Sequence, residues 1–105
     1  MKKFLKVAAV TGAMLSTSLT AMAADKAAGK AKSATCVACH GAAGCSATDI
    51  WPNLAGQKQG YLAKQLKDFK AGTRKDPSMT AMVAPLTDKD IANLAAYYSS
   101  LAACK

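Results

Sequence analysis

The residues best suited to chemistry in this chain of 105 residues are Cys36, Cys39 and His40, which stand together as Cys-Val-Ala-Cys-His. Two cysteines three positions apart, followed directly by a histidine, are typical of c-type haem attachment. Each thiol can add to one vinyl group of the porphyrin, and the imidazole can then ligate the iron. The motif predicts one covalently attached haem c, held by Cys36 and Cys39, with His40 as an axial iron ligand.

Other uses of the two thiols fit the sequence less well. A zinc site needs four ligands, and the remaining cysteines, Cys45 and Cys104, form no second close pair. A thioredoxin-like dithiol is expected within a βαβ unit, but the chain shows no strand-like alternation. A structural Cys36–Cys39 disulfide would leave the adjacent histidine without a role. A small zinc-binding module is the non-haem alternative.

Residues 1–23 have the features of a secretory signal peptide. Three lysines precede an apolar stretch, and residues 21–23, Ala-Met-Ala, supply the small-x-small pattern that signal peptidase recognises. We expect cleavage after Ala23, which leaves residues 24–105 as the haem-binding domain in the periplasm. That compartment permits disulfides and covalently attached cofactors.

The second axial ligand is either a methionine or absent, because His40 is the only histidine and a second imidazole ligand within the chain is impossible. Residues 24–105 contain two methionines, Met79 and Met82. A thioether opposite a histidine raises the potential of the haem and suits electron transfer. The residues alone leave both methionines open as the ligand.

Cys45 and Cys104 remain once haem attachment has used the other two cysteines. An even number of thiols in an exported protein favours pairing. We therefore predict a Cys45–Cys104 disulfide. Two free thiols, or a dimer linked through Cys104, are the alternatives.

Three helical stretches are expected to position these residues. Residues 25–39 are rich in Ala and Lys, which favour helix. Residues 57–71 carry an apolar stripe at helical spacing, and Gly72 is a natural stop. Thr87 can cap a last helix, on which Ile91, Leu94, Tyr98 and Leu101 form one apolar stripe.

The segments between these helices, residues 41–56 and 73–86, lack such periodicity and are predicted as loops. Long loops in so small a domain usually enclose a bound group. The resulting fold class is all-α. A core this small needs a disulfide, a metal or an apolar cofactor as additional support.

Composition and charge limit the class of protein further. Hydrophobic residues make up 51% of the chain and charged residues 19%, which excludes a disordered polar tail. The length excludes a multidomain enzyme, and the apolar stretch from Val7 to Leu19 is shorter than the roughly 18 to 20 residues that a membrane span needs. The formal charge of +8 includes a basic run over residues 58–75. This run is either a solvated helix face or a docking surface for an acidic partner.

Several ordered motifs give the chain a family resemblance from Gly29 to Leu101. Besides the Cys-x-x-Cys-His motif they are Pro-Asn-Leu-Ala-Gly-Gln at 52–57, the run from Tyr61 to Gly72, Met79, and Leu-Thr-Asp at 86–88 with Leu-Ala-Ala-Tyr at 94–97. The sequence resembles the small bacterial class I cytochromes c, especially the single-haem unit that is also found doubled in periplasmic di-haem members. The insertion that contains Cys45 departs from the usual pattern.

This resemblance implies a small helical bundle wrapped around one covalently attached haem, with the first and last helices crossing. Gly29 and Tyr97 match the family's glycine–aromatic contact at that crossing. The family spacing selects Met79 as the axial ligand and leaves Met82 to pack in the haem pocket. It also implies that the Pro52 carbonyl accepts a hydrogen bond from the imidazole of His40 and that Leu54 lies against the haem.

With His40 and Met79 both bound, no position on the iron remains open for oxygen or peroxide, so we expect a soluble periplasmic one-electron carrier rather than an enzyme, and a monomer. Its redox partners would be respiratory proteins such as a membrane quinol-oxidising complex, a terminal oxidase, a peroxidase or a reductase. Nucleic acid is excluded as a partner by the compartment. If the methionine ligand were labile, the same chain would be a haem-based ligand sensor or a weak peroxidase.

Overall fold

The described part of the chain consists of helices joined by loops and turns. The structure is a computed structural model, and it describes residues 8–9, 11–13 and 23–105. Within them lie α1 Lys26–Lys32, α2 Val37–His40, α3 Gln59–Ala71, α4 Pro77–Val83 and α5 Asp88–Ser100, and no strand. The predicted all-α class is confirmed. The predicted signal peptide lies for the most part outside the described residues.

The first predicted helix is interrupted before it reaches the haem motif. α1 ends at Lys32, and a 3-10 turn, Ser33–Thr35, leads into α2. The Ser33 hydroxyl donates a hydrogen bond to the Lys30 carbonyl (2.6 Å), a local bond that competes with regular helix. The prediction of one continuous helix over residues 25–39 is therefore wrong. The 3-10 turn interrupts the helix just before Cys36.

The two longer helices follow their sequence signals. α3 ends at Ala71, and Gly72 takes up the left-handed conformation (φ 80°) that closes a helix. α5 begins with a capping box, in which the Thr87 hydroxyl accepts from the Asp90 N–H (3.1 Å) and the Asp90 carboxylate accepts from the Thr87 N–H (2.9 Å). The predicted stop of α3 and the predicted cap of α5 are confirmed.

A short helix stands where the sequence predicted only loop. α4 occupies residues 77–83, in the middle of the predicted loop 73–86. The Asp76 carboxylate caps it by accepting from the Met79 N–H (2.9 Å), and Pro77 fills the first helical position, where no N–H is needed. The loop prediction is wrong over these residues, because the Asp-Pro pair is a helix start.

The helices α1 and α5 cross at close range. A Cβ atom built on Gly29 would lie 2.1 Å from the Asn93 carbonyl oxygen and 2.8 Å from the Tyr97 Cβ. The Asn93 side chain also accepts from the Asp25 N–H (2.8 Å), just before α1 begins. Only glycine allows this approach. The crossing of the first and last helices agrees with the fold class that the sequence predicted.

The core is built on α5, which packs against both α1 and α3. Ile91, Leu94 and Val83 are its largest fully buried side chains, and α3 contributes Leu62 and Phe69. α4 packs against α3. None of the described helices combines the length and apolarity that a membrane-spanning helix requires.

Candidate functional site

The Cys-x-x-Cys-His motif forms a single helical turn. The His40 N–H donates to the Cys36 carbonyl (3.0 Å), and the Gly41 N–H donates to the Val37 carbonyl (2.9 Å). Residues three and four apart in a helix lie on one face. Cys36, Cys39 and His40 therefore lie on one face of this turn. Both cysteines are half-buried free thiols, and all three residues line one cavity. Two thiols and an imidazole thus face the same space.

The imidazole of His40 is buried (6% exposed), and a hydrogen bond to the backbone holds its ring in place. Its Nδ1 lies 2.8 Å from the Pro52 carbonyl oxygen. A carbonyl only accepts, so Nδ1 carries the proton and Nε2 keeps its lone pair for a metal. This is the contact that the family resemblance implies. Such a bond fixes the ring and raises the basicity of the ligand nitrogen.

Both candidate methionines line the same cavity. Met79 is half-buried, whereas the Met82 side chain is 42% exposed. The cap that Asp76 provides to the Met79 N–H places Met79 in the first turn of α4. Met82 also contacts a shallow groove formed with Ala31, Ala34 and Pro85. The greater burial of Met79 favours it as the thioether that faces a bound haem.

The size and lining of the cavity are those of a small-molecule or cofactor site. Its volume is about 460 Å³, within the range of roughly 300–1,000 Å³ that is typical of small-molecule and cofactor sites. Leu54 lies on its wall and is half-buried, whereas Trp51 is 40% exposed at the cavity. Much of the wall is aliphatic or aromatic, and this part includes Leu62, Leu66, Phe69, Val83, Leu86, Leu94 and Ala95.

Arg74 reaches the cavity, which sequence reasoning did not predict. Its guanidinium donates to the Gln65 side-chain oxygen (2.7 Å) and lies 4.5 Å above the centre of the Phe69 ring. Both neighbours hold the group in place at the cavity wall. In the sequence it was one of several cations in the basic run. The available signal was that Arg74 is the only arginine in the chain, since arginine is the cation suited to stacked and bidentate contacts with carboxylates.

The loop after the haem motif folds back on itself. The Gly44 carbonyl accepts from the N–H groups of Leu54 (2.8 Å) and Ala55 (3.0 Å). A Cβ on Gly41 would lie 1.9 Å from the Cys45 carbonyl oxygen, so this turn requires glycine. The structure pairs Cys45 with Cys104, and their Cα atoms are 5.8 Å apart, a separation usual for disulfides.

Tyr98 lines the cavity and carries a buried hydroxyl. The oxygen makes no hydrogen bond within the described residues. Burial, and secondarily the neighbouring Cys36 thiol, raise the pKa of this phenol well above its usual range. Tyr98 is therefore a neutral donor on the wall.

The basic run separates into two groups in the structure. Lys64 pairs with Asp68 and lowers the pKa of that carboxyl, and the Lys70 ammonium bonds to the Leu86 carbonyl. Lys58, Lys67 and Lys75 are exposed. The cations thus have unequal roles: Lys64 is paired within α3 and Lys70 joins α3 to the segment before α5, whereas the other three lysines only face solvent.

An all-α fold with a Cys-x-x-Cys-His turn opening onto an apolar cavity defines a class, the c-type haem proteins. Comparison of the sequence with known families agrees with the site. The chain belongs to the cytochrome c family, whose pattern matches residues 26–102. The cofactor of this family is covalently attached haem c.

Individual relatives are similar over most of the chain. Cytochrome c4 of Pseudomonas aeruginosa is 49% identical over 84 residues, which cover 80% of this chain and 42% of that protein. Cytochrome c-554(548) of Halomonas halodenitrificans is 49% identical over 74% of this chain and 98% of its own length. The crystal structure of reduced recombinant cytochrome c4 from Pseudomonas stutzeri superposes with a TM-score of 0.73 at 46% identity, over 76% of this chain and 47% of that one. The chain spans about half the length of the cytochromes c4 that it matches.

Proposed function

We propose that this protein is a one-electron carrier that uses a single haem c with His40 and Met79 as axial ligands. The observation that supports this most strongly is that both side chains line one apolar cavity, beside the two thiols of the attachment motif. With both ligands bound, no coordination position is free for oxygen or peroxide. Electron exchange without substrate chemistry is the activity that such a site favours.

The chain's own residues have separate tasks in this proposal. Haem c supplies an iron that cycles between two oxidation states. Cys36 and Cys39 fix the porphyrin, and Pro52 keeps the proton of His40 on Nδ1. Arg74 is a partner for the carboxylate groups of the porphyrin, because its guanidinium is held at the cavity wall.

We also propose that residues 1–23 are a cleaved signal peptide and that residues 24–105 act in the periplasm. The partners would be respiratory redox proteins, such as a quinol-oxidising complex, a terminal oxidase, a peroxidase or a reductase. The mass of the secreted protein tests the cleavage. It should equal the mass of residues 24–105 plus one haem, and a retained N-terminus would contradict the proposal.

A disulfide between Cys45 and Cys104 is part of this proposal. Its support is the position of the two residues, whose Cα atoms are 5.8 Å apart. Alkylation of unreduced, denatured protein followed by mass spectrometry tests it. No cysteine should react, whereas two alkylated cysteines on a monomer would refute the bridge.

Two spectra test the carrier function itself. A pyridine haemochrome spectrum of periplasmically expressed protein should show one haem c per chain, and a colourless protein would overturn the proposal. Carbon monoxide added to the reduced protein at neutral pH should bind slowly or not at all. Rapid and complete binding would indicate a ligand sensor or a weak peroxidase instead.

A further inference from the structure

The carbonyl that holds the His40 imidazole lies in a braced segment. Pro52 is followed directly by Asn53 and Leu54. The Asn53 side-chain oxygen accepts from the Ser46 N–H (2.7 Å), and the Leu54 N–H donates to the Gly44 carbonyl (2.8 Å). The position of the Pro52 carbonyl therefore depends on the backbone of residues 44–46.

Cys45 is the residue between these two braces, and it is tied to the C-terminal segment through Cys104. The other end of the same loop meets that segment as well. The Gly56 N–H donates to the Tyr98 carbonyl (3.0 Å), and a Cβ on Gly56 would lie 3.1 Å from Ala103. The loop that supports His40 is thus fastened to α5 and its extension at two points.

We infer that the Cys45–Cys104 bridge is a positioning element for the histidine ligand and thereby sets the potential of the haem. This inference rests on the proposed function. The bridge holds residues 44–46 in place, these hold residues 53 and 54, and the Pro52 carbonyl stays on the Nδ1 proton of His40. A hydrogen bond at Nδ1 makes the imidazole a stronger donor, which stabilises ferric iron and lowers the potential.

A bridge that only stabilised the fold would have a different signature. It would raise the free energy of unfolding by restricting the unfolded chain and would leave the His40–Pro52 bond unchanged. The two roles are separable, because one acts on global unfolding and the other on a local opening of the native state.

The experiment compares holoprotein carrying Cys45→Ser with Cys104→Ser against wild type. The readouts are the midpoint potential and the solvent exchange rate of the His40 Nδ1 proton, followed by NMR in the ferrous state. We expect the exchange of the His40 Nδ1 proton to be about tenfold faster, which corresponds to a local opening whose free energy is lower by about 1.4 kcal/mol. We also expect the midpoint potential to become more positive. Ile91→Val is the matched control, since Ile91 is fully buried and does not line the cavity. It should lower the unfolding temperature and leave both readouts unchanged.

A second arm uses the wild-type holoprotein and needs no variant to fold. The ferrous protein is compared before and after dithiothreitol opens the bridge, which alkylation and mass spectrometry verify. Faster exchange of the His40 proton supports the inference. Unchanged exchange and potential together with a lower unfolding temperature would overturn it and leave the haem proposal standing. Wild-type protein without haem would overturn both.

Discussion

At the scale of single residues, the site depends on one histidine and a choice between two methionines. His40 has its Nδ1 proton bound to Pro52, so its other nitrogen is available to iron. Met79 is the more buried of the two thioethers on the cavity wall. Met82 lies three residues further along the same short helix and is therefore a closely matched comparison.

The methionine assignment predicts different results for two alanine variants. Met79→Ala should abolish the far-red sulfur-to-iron absorption band of the oxidised protein. It should also lower the midpoint potential, because a thioether ligand stabilises ferrous iron, and allow rapid binding of carbon monoxide. Met82→Ala should keep the band and the slow reaction. Loss of the band in Met82→Ala alone would reverse the assignment.

Arg74 predicts a shift of potential that depends on charge. Two unit charges roughly 10 Å apart interact by on the order of 1–2 kcal/mol at an effective dielectric constant near 20, which is tens of millivolts for a one-electron couple. Since a cation disfavours the oxidised haem, Arg74→Gln should lower the midpoint potential by this amount, and Arg74→Lys should lower it less. Equal potentials in the three proteins would place Arg74 away from the haem carboxylates.

Sequence reasoning picked out the two thiols and the imidazole that line the cavity and missed Arg74 for a physical reason. Cys36, Cys39 and His40 are adjacent in sequence, and their spacing alone carries the chemistry. The direction of the Arg74 side chain depends on its stacking against Phe69, a contact that arises only when α3 is folded. The same is true of the Pro52 carbonyl, for which a family resemblance was needed.

At the scale of helices, the crossing of α1 and α5 gives a paired prediction. Gly29→Ala would bring a Cβ to 2.1 Å from the Asn93 carbonyl oxygen, and relieving such overpacking costs about 1–3 kcal/mol. Gly60→Ala in α3 is the control, because nothing lies within 4 Å of the added atom. It should raise the stability by up to about 1 kcal/mol through helix propensity.

Chemical denaturation of the two glycine variants provides the measurement. The denaturant concentration at the midpoint of unfolding should fall for Gly29→Ala. For Gly60→Ala it should rise or remain unchanged. Equal changes in both variants would mean that the crossing has room for a side chain. This result would contradict the close approach of the two helices.

The longer helices could be predicted from the sequence, whereas the short one could not. α3 and α5 each have 13 residues, enough for an apolar stripe and end signals to be visible. α4 has only seven residues, too few for periodicity, and its sole local signal was Asp76 followed by Pro77. The break at Ser33 is a competition between a side-chain bond and a helix bond, which propensities do not resolve.

At the scale of the whole molecule, the cavity and the core share residues. Leu62, Phe69 and Leu94 belong to the buried cluster and also line the cavity. A chain of this size buries little apolar surface by itself. A bound porphyrin would therefore complete the core, and the family's covalent attachment would keep it in place.

The charge of the whole molecule gives the last prediction. Lys58 follows Gln57 and Lys75 lies between Arg74 and Asp76, so both exposed lysines adjoin residues of the cavity wall. If they steer an acidic redox partner, the second-order rate of electron transfer should fall about tenfold or more from low to high ionic strength.

The double variant Lys58→Gln with Lys75→Gln should flatten this dependence on ionic strength. Lys26→Gln with Lys89→Gln removes the same charge from exposed positions on α1 and α5 and should leave the slope close to that of wild type. Stopped-flow mixing with an acidic electron acceptor measures the slopes, and equal slopes in the two double variants would assign the effect to net charge alone.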